Sequence, residues 1–210
     1  GEEFLSKFNL IDGIKYPDYN LPAVFFGCYK ERDILNIQKN KSDLKVLIYG
    51  GTDATRKKNL LKLKKEKNLY HVAISNFISD DLNNVGIKHK RLNVVPVDHS
   101  RYDINPVPLG DSIYIYMNSK HKAEQYGEKL YTQAMDRFPD INFIVCGAKS
   151  NTRGELIDIY KKCFMGLRLI DHDGLSNTVV EMGLMGRKTV HNGSVPACLR
   201  YRNIDDIFKF

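Results

Sequence analysis

The chain has 210 residues, of which 42% are hydrophobic, enough to form a core in one large domain or two small ones. It contains no run of about 18 apolar residues, which argues against a membrane-spanning helix. Its first residues, Gly1-Glu-Glu-Phe-Leu5, lack the basic and apolar pattern of a signal peptide. The four cysteines form no Cys-x-x-Cys pair, which argues against a zinc site or a disulfide framework. A reducing, cytoplasmic location is expected.

The net charge is +7 and the pI is about 9.1, values that suit an anionic partner. Much of the excess lies in Arg56–Lys67, which reads RKKNLLKLKKEK. Such a run is most often a solvated helix face. A peripheral contact with an anionic membrane is the alternative, because Leu60, Leu61 and Leu63 lie beside the lysines. No nucleic acid partner is expected.

Short apolar runs alternate with amphipathic stretches, a rhythm that predicts βα units around a parallel sheet. The strands of the first half are rich in Val, Ile and aromatic residues and show little alternation, which is typical of a sheet covered on both faces. They are expected at Ala23–Gly27, Lys45–Tyr49, Tyr70–Ser75 and Leu92–Pro96. Helices are expected near residues 31–40, 54–67 and 77–85.

The polar stretch between Pro96 and Pro108 is the expected linker, and the βα rhythm restarts after it. Strands are then expected at Ser112–Met117, Asn142–Cys146, Met165–Ile170 and Lys188–His191. Helices are expected near residues 124–138, 153–163, 176–185 and 203–210. This pattern predicts an N-terminal α/β domain at residues 1–98 and a C-terminal α/β domain at residues 99–210.

The predicted fold class is α/β, with two Rossmann-like parallel-sheet domains facing a cleft. The first domain is short for a complete nucleotide-binding domain. The chain is therefore expected to be either a fragment or a reduced version of a larger protein.

The most informative segment is Leu167–Val190, in which a strand leads through a polar loop into a helix. Ser176 or Asn177 is expected at the helix N-cap, and Gly186 at its end. Free amides and the positive end of the helix dipole make such a helix start an anion site, and Gly174 lets a ligand approach the backbone closely. The expected ligand is the diphosphate of a sugar nucleotide.

Two acids belong to this segment, Asp173 in the loop and Glu181 on the helix. Their spacing allows both carboxylates to face one cleft and to accept hydrogen bonds from sugar hydroxyls. Spacing alone equally allows Asp173 to cap the turn while Glu181 lies at the surface.

The run Asp173–Val190 resembles the Glu-x7-Glu region of the retaining GT-B glycosyltransferases (group 1), with Asp173 in place of the first glutamate. The resemblance implies that Glu181 binds the donor ribose, and that Asp173 and the loop backbone face the sugar and phosphates. Asp173 and Glu181 are thus the expected catalytic pair. The expected donor-binding residues are Arg168, His172, Gly174, Leu175, Ser176, Asn177, Thr178, Lys120 and Lys122.

The first half adds to the resemblance. Lys45–Asp53 is similar to a strand and Gly-Thr-Asp turn of some bacterial and viral members, and His71–Ile87 to the family's element that ends in a Leu-x-x-x-Gly-Ile turn. Val94–Asp98 matches the segment that connects the first domain to the second in that family. The similarity covers roughly residues 45–200 in order. Gly51, Thr52 and Asp53 are candidates for the cleft or acceptor side, although a plain βα turn capped by Thr52 or Asp53 explains them equally well.

The segment Met117–Gly127 departs from the family, because the usual Gly-Arg and Lys-Gly that neutralise the diphosphate are missing. Lys120, Lys122 and Arg168 are the nearest substitutes.

The expected function is transfer of a sugar from a nucleotide diphosphate to a hydroxyl of a carbohydrate, lipid-linked or protein acceptor, with retention. No metal and no further cofactor is expected, since the Asp171-His-Asp173 triplet lies in the proposed diphosphate loop. A glycosyltransferase-like binding domain without catalysis is the first alternative. A nucleic-acid-binding protein, suggested by the pI alone, is the second.

Overall fold

The computed structural model describes residues 18–92, 104–117, 124–147, 151–171, 173–193 and 195–210. The chain divides into two compact units, Gly1–Pro96 and Val97–Phe210. In the described part of the chain, no helix is long and apolar enough to cross a membrane.

The first unit contains a parallel four-stranded sheet whose strands lie side by side in chain order. Its strands are β1 (Ala23–Phe26), β2 (Lys45–Tyr49), β3 (Leu69–Ala73) and β4 (His89–Arg91), and its helices are α1 (Glu31–Lys39), α2 (Lys57–Leu63) and α3 (Asn76–Asn84).

Local chemistry explains the ends of α3. The Ser75 hydroxyl accepts a hydrogen bond from the Ile78 amide at 3.3 Å and caps the start. Gly86 adopts φ +66°, and the Ile87 amide donates to the Leu82 carbonyl at 2.9 Å, as in a Schellman ending. The Leu-x-x-x-Gly-Ile turn seen in the sequence is therefore a helix C-terminus.

The two faces of the first sheet differ in burial. Leu47 and Tyr49 are fully buried on the face that carries the helices, whereas Val24, Phe26 and Tyr70 on the other face are 46%, 58% and 61% exposed. The expectation of a sheet covered on both faces is thus wrong for this unit as described. Consecutive strand order with right-handed crossovers places every connecting helix on one side, which accounts for the difference.

Truncation on the two faces should therefore have unequal effects. Leu47→Ala is expected to lower the free energy of unfolding by about 2–5 kcal/mol, because it opens a cavity in the core. Tyr70→Thr, which keeps the strand propensity, should cost less than about 1 kcal/mol. Urea unfolding followed by circular dichroism measures both. Equal losses would show that the Tyr70 face is covered in solution.

The second unit contains a parallel five-stranded sheet in the order β6-β5-β7-β8-β9. Its strands are β5 (Ser112–Tyr116), β6 (Asn142–Cys146), β7 (Cys163–Arg168), β8 (Lys188–His191) and β9 (Cys198–Arg200). A 3₁₀ turn at Glu124–Tyr126 precedes α4 (Glu128–Arg137), and the other helices are α5 (Arg153–Lys161), α6 (Asn177–Leu184) and α7 (Ile204–Ile207). The connections reverse direction between β5 and β7, as in doubly wound folds.

This second sheet is covered on both faces. One core joins α4 and α7 to the sheet through Tyr131, Leu167 and Ile207. The other joins α5 and α6 to it through Tyr160 and Met182. Gly166 permits the close approach of α6, since a Cβ there would lie 2.6 Å from the Met182 sulfur.

Most predicted strands are confirmed, and Lys45–Tyr49, Asn142–Cys146 and Lys188–His191 match to the residue. Of the strand predicted at Leu92–Pro96, residues 93–96 lie outside the described part, and the described residues place the fourth strand at His89–Arg91. Strand β9 was not predicted, since three residues are too few for a visible pattern.

Candidate functional site

The reversal between β5 and β7 marks a candidate site, because doubly wound sheets bind ligands at the carboxyl ends of the strands at this point. Tyr116, Arg168 and His191 end three adjacent strands, β5, β7 and β8. The register pairs Ile115 with Leu167 and Arg168 with His191. The three polar side chains therefore form a row on the face that carries α5 and α6.

Tyr131, on α4, contacts the ends of both β5 and β7 from the opposite face of the sheet. Its hydroxyl oxygen accepts a hydrogen bond from the Leu169 amide at 3.0 Å and lies 3.3 Å from the Leu167 carbonyl and 3.4 Å from the Tyr116 carbonyl. Burial raises the pKa of Tyr131 to about 12, so the hydroxyl keeps the proton that it donates. One side chain thus links the ends of β5 and β7 where their connections diverge.

Arg168 is held in a defined place at this end of the sheet. Its Nε donates to Asp173 Oδ2 at 2.8 Å, and its guanidinium carbon lies 4.5 Å from the ring centre of Tyr116 and 5.5 Å from that of Tyr126. The residue is 9% exposed. A stacked, charge-paired guanidinium loses little freedom on binding a further anion through its terminal nitrogens.

Asp173 lies between two basic side chains, with Arg168 on one side and His191 Nε2 at 3.6 Å on the other. Burial by itself would raise the pKa of Asp173, but His191 and Arg168 outweigh it and lower the pKa to about 2. The carboxylate is therefore ionised at neutral pH. It can accept hydrogen bonds and stabilise positive charge, and it does not donate a proton.

This ion pair should make stability depend on pH in the acid range. Because the pKa of Asp173 falls from 3.8 to about 2 on folding, its contribution is complete above about pH 5 and is lost as the pH falls through 2. The loss attributable to Asp173 is expected to be about 2 kcal/mol. Urea unfolding at several pH values, compared between the native chain and Asp173→Asn, checks this. A parallel pH dependence in both would contradict the assignment.

The loop that follows Asp173 leads into the start of α6. Gly174 is buried, Ser176 is the N-cap, and the Ser176 side chain makes no capping hydrogen bond. The first turn of α6 contains the exposed Asn177 and the buried Thr178, and the Ser176 side chain does not occupy its amides. The helix start expected from the sequence is present, one residue after Ser176.

Glu181 is almost completely buried, at 1% exposure, and forms an ion pair with Arg153 at the start of α5. The surface position considered for Glu181 is therefore wrong. Burial raises its pKa, while Arg153 and the neighbouring Tyr160 act in the opposite direction. The structure thus places Asp173 and Glu181 in two separate ion pairs on the same unit.

Asp53 has a structural role in the first unit. It is fully buried, and its carboxylate accepts hydrogen bonds from the Gly51 amide at 2.8 Å and the Cys28 amide at 3.3 Å. It thereby joins the turns that follow β1 and β2. Capping of the next helix by Thr52 or Asp53 is wrong, because α2 starts at Lys57 with Arg56 as its N-cap.

Three predicted donor-site residues, Lys120, Lys122 and His172, lie outside the described residues. Sequence reasoning missed Arg153 and His191, and it gave no role to Tyr116 and Tyr126. A signal was present for His191, since a polar residue that ends an apolar strand of a parallel sheet lies at the edge where ligands bind. No such signal marked Arg153, whose partner is 28 residues away in the sequence.

Among the described residues, no group of three or more histidine, cysteine or acidic side chains is arranged to hold a metal ion. No protein-family model matches the chain. No curated protein matches it either.

Proposed function

We propose that the chain is a nucleotide-sugar-dependent glycosyltransferase of the GT-B type, which transfers a sugar to an acceptor hydroxyl with retention. The observation that carries this proposal is the position of the Asp173 loop. It follows β7 at the strand-order reversal, leads into the uncapped start of α6, and is paired with the stacked Arg168. The family resemblance of Asp173–Val190 supplies the reaction.

In this proposal the leaving diphosphate lies at the start of α6. The first-turn amides and the terminal nitrogens of Arg168 stabilise its charge, and the ionised Asp173 accepts a hydrogen bond from the donor sugar. Glu181 accepts a bond from the donor ribose, which requires its contact with Arg153 to loosen or to be shared. These roles need no resident cofactor, and the acceptor is a carbohydrate, lipid-linked or protein hydroxyl.

A second function has support from one specific observation. Both carboxylates are already paired with arginines of the chain itself, Asp173 with Arg168 and Glu181 with Arg153. Such pairing stabilises a fold without any ligand and favours a glycosyltransferase-like domain that binds nucleotides but does not transfer sugar.

Nucleotide binding tests both functions. Thermal shift and calorimetry with the diphosphates of uridine, adenosine, guanosine, cytidine and thymidine should identify one that stabilises the chain, by about 2.7 kcal/mol at 100 times its Kd. Glu181→Gln should weaken that binding about tenfold or more, because a charged acceptor for the ribose is lost. Glu128→Gln, at an exposed position on α4, is the matched control and should have no effect.

Turnover of the corresponding nucleotide sugars then separates the two functions. Transfer or slow donor hydrolysis that is abolished in Asp173→Asn supports the enzyme, whereas binding without turnover supports the second function. If no diphosphate binds, both are overturned.

We further propose that the basic surface of the first unit contacts anionic membranes by electrostatics. Residues 1–96 contain 17 lysines and arginines against 11 acids, whereas residues 97–210 contain 15 against 14. Leu60 and Leu63 are buried in the core and Leu61 is 46% exposed, so insertion of all three leucines into lipid is ruled out for the folded unit. The contact therefore depends mainly on lysine charge.

Vesicle co-sedimentation tests this contact. The chain should bind phosphatidylserine-containing vesicles at low salt and be released at about 0.5 M salt, where the Debye length is only a few ångströms. Lys57→Glu with Lys58→Glu should weaken binding, whereas Lys129→Glu, an exposed lysine of α4, should not. Equal loss in the control, or equal binding to neutral vesicles, would contradict the proposal.

A further inference from the structure

His191 is a buried polar residue beside the site, and the proposed reaction gives it no role. It is the last residue of β8 and is completely buried. In the strand register its neighbour is Arg168, the residue that binds Asp173. The imidazole therefore faces the same carboxylate from the adjacent strand.

The backbone after β8 determines which ring nitrogen carries the proton. The amide of Gly193 donates to His191 Nδ1 at 2.9 Å, so Nδ1 must present a lone pair. The proton of the neutral ring then lies on Nε2, which points to Asp173 Oδ2 at 3.6 Å. The hydrogen bond from the turn after β8 to Nδ1 therefore makes Nε2 the hydrogen-bond donor of the neutral ring.

Nε2 is buried and makes no hydrogen bond of normal length. A buried donor in this state is costly, and a shift of a few tenths of an ångström towards Asp173 would satisfy it. Such contacts often shorten when a ligand completes an active site. Besides Arg168 and His191, Tyr116 and Tyr131 are titratable groups whose pKa the charge of Asp173 raises.

Arg168 Nε and His191 Nε2 both contact the same oxygen of Asp173, Oδ2. With Oδ2 held from two sides, the rotation of the carboxylate is restricted. Oδ1 is then the oxygen that can accept a hydrogen bond from a ligand hydroxyl, and its direction is set by the protein before the ligand arrives.

We propose that His191 is a positioning residue that holds Asp173 through Nε2–H, so that Oδ1 of Asp173 is aimed at a hydroxyl of the donor sugar. This inference rests on the proposed glycosyltransferase function for its consequence in catalysis. The contact itself does not depend on that function.

Two substitutions of His191 each keep the hydrogen-bonding role of one ring nitrogen and remove that of the other. His191→Gln replaces the Nε2 donor and removes the acceptor for the Gly193 amide, whereas His191→Asn keeps that acceptor and removes the donor. His191→Asn is expected to be the more stable variant and yet to lose kcat about tenfold or more, with the Kd for the nucleoside diphosphate unchanged. His191→Gln should keep kcat within about threefold. A purely structural histidine would instead show activity that follows stability in both variants, which would overturn the proposal.

Nuclear magnetic resonance tests the contact without turnover. Long-range proton–nitrogen spectra of the native chain should show Nε2 protonated and Nδ1 unprotonated in His191. Carboxyl-carbon titration should place the pKa of Asp173 near 2 in the native chain and higher by about half a unit or more in His191→Asn.

These spectra separate failure of this inference from failure of the proposed function. A protonated Nδ1 in the native chain, or an unchanged pKa of Asp173 in His191→Asn, overturns the role of His191 whether or not any sugar is transferred. Correct spectra in a chain that binds no nucleotide would leave the contact established and overturn its place in a transfer reaction.

Discussion

The second unit depends on the buried guanidinium of Arg187. This side chain is 1% exposed, and its acceptors among the described residues are six backbone carbonyls, those of Val107, Pro108, Tyr160, Lys161, Cys163 and Met185. Gly186 directs the chain to this place, because its φ of +83° closes a Schellman turn in which the Arg187 amide donates to Met182 at 2.8 Å. The carbonyl dipoles point at the guanidinium and stabilise its buried charge. Through these hydrogen bonds Arg187 connects four segments, which are the residues before β5, the end of α5, the start of β7 and the end of α6.

The opposite end of the same sheet carries Arg168, whose surroundings differ in kind. Arg168 meets a carboxylate and two aromatic rings, and its place at the strand-order reversal leaves it next to loops. Arg187 therefore fixes the amino ends of the central strands, while Arg168 and His191 organise a loop above the carboxyl ends. Sites in doubly wound folds lie at the carboxyl ends because the connections diverge there, and loops at that edge can differ in structure without loss of the core.

The fold was largely predictable, because strand and helix signals are local. Lys45–Tyr49 and Lys188–His191 are apolar runs between turn residues, and the start of α6 is marked by Ser176. The errors have physical causes as well. Helix capping by Thr52 or Asp53 was one of two alternatives for this turn, but the Asp53 carboxylate instead accepts a hydrogen bond from the amide of Cys28, in a turn 25 residues earlier. Glu181 could not be told from a surface acid, because its partner Arg153 lies on another helix.

The sequence by itself determined the alternation of strands and helices, the parallel class of both sheets and the position of the Asp173 loop between β7 and α6, because each follows from residues close together in the chain. The family resemblance of that loop, and hence the proposed reaction, also came from the sequence. Only the tertiary structure decided the order of strands, the exposure of Val24, Phe26 and Tyr70 on one face of the first sheet, and the pairing of Arg168 and His191 with Asp173. These depend on contacts between segments far apart in the chain, where the free energy of packing, rather than local preference, selects the partner.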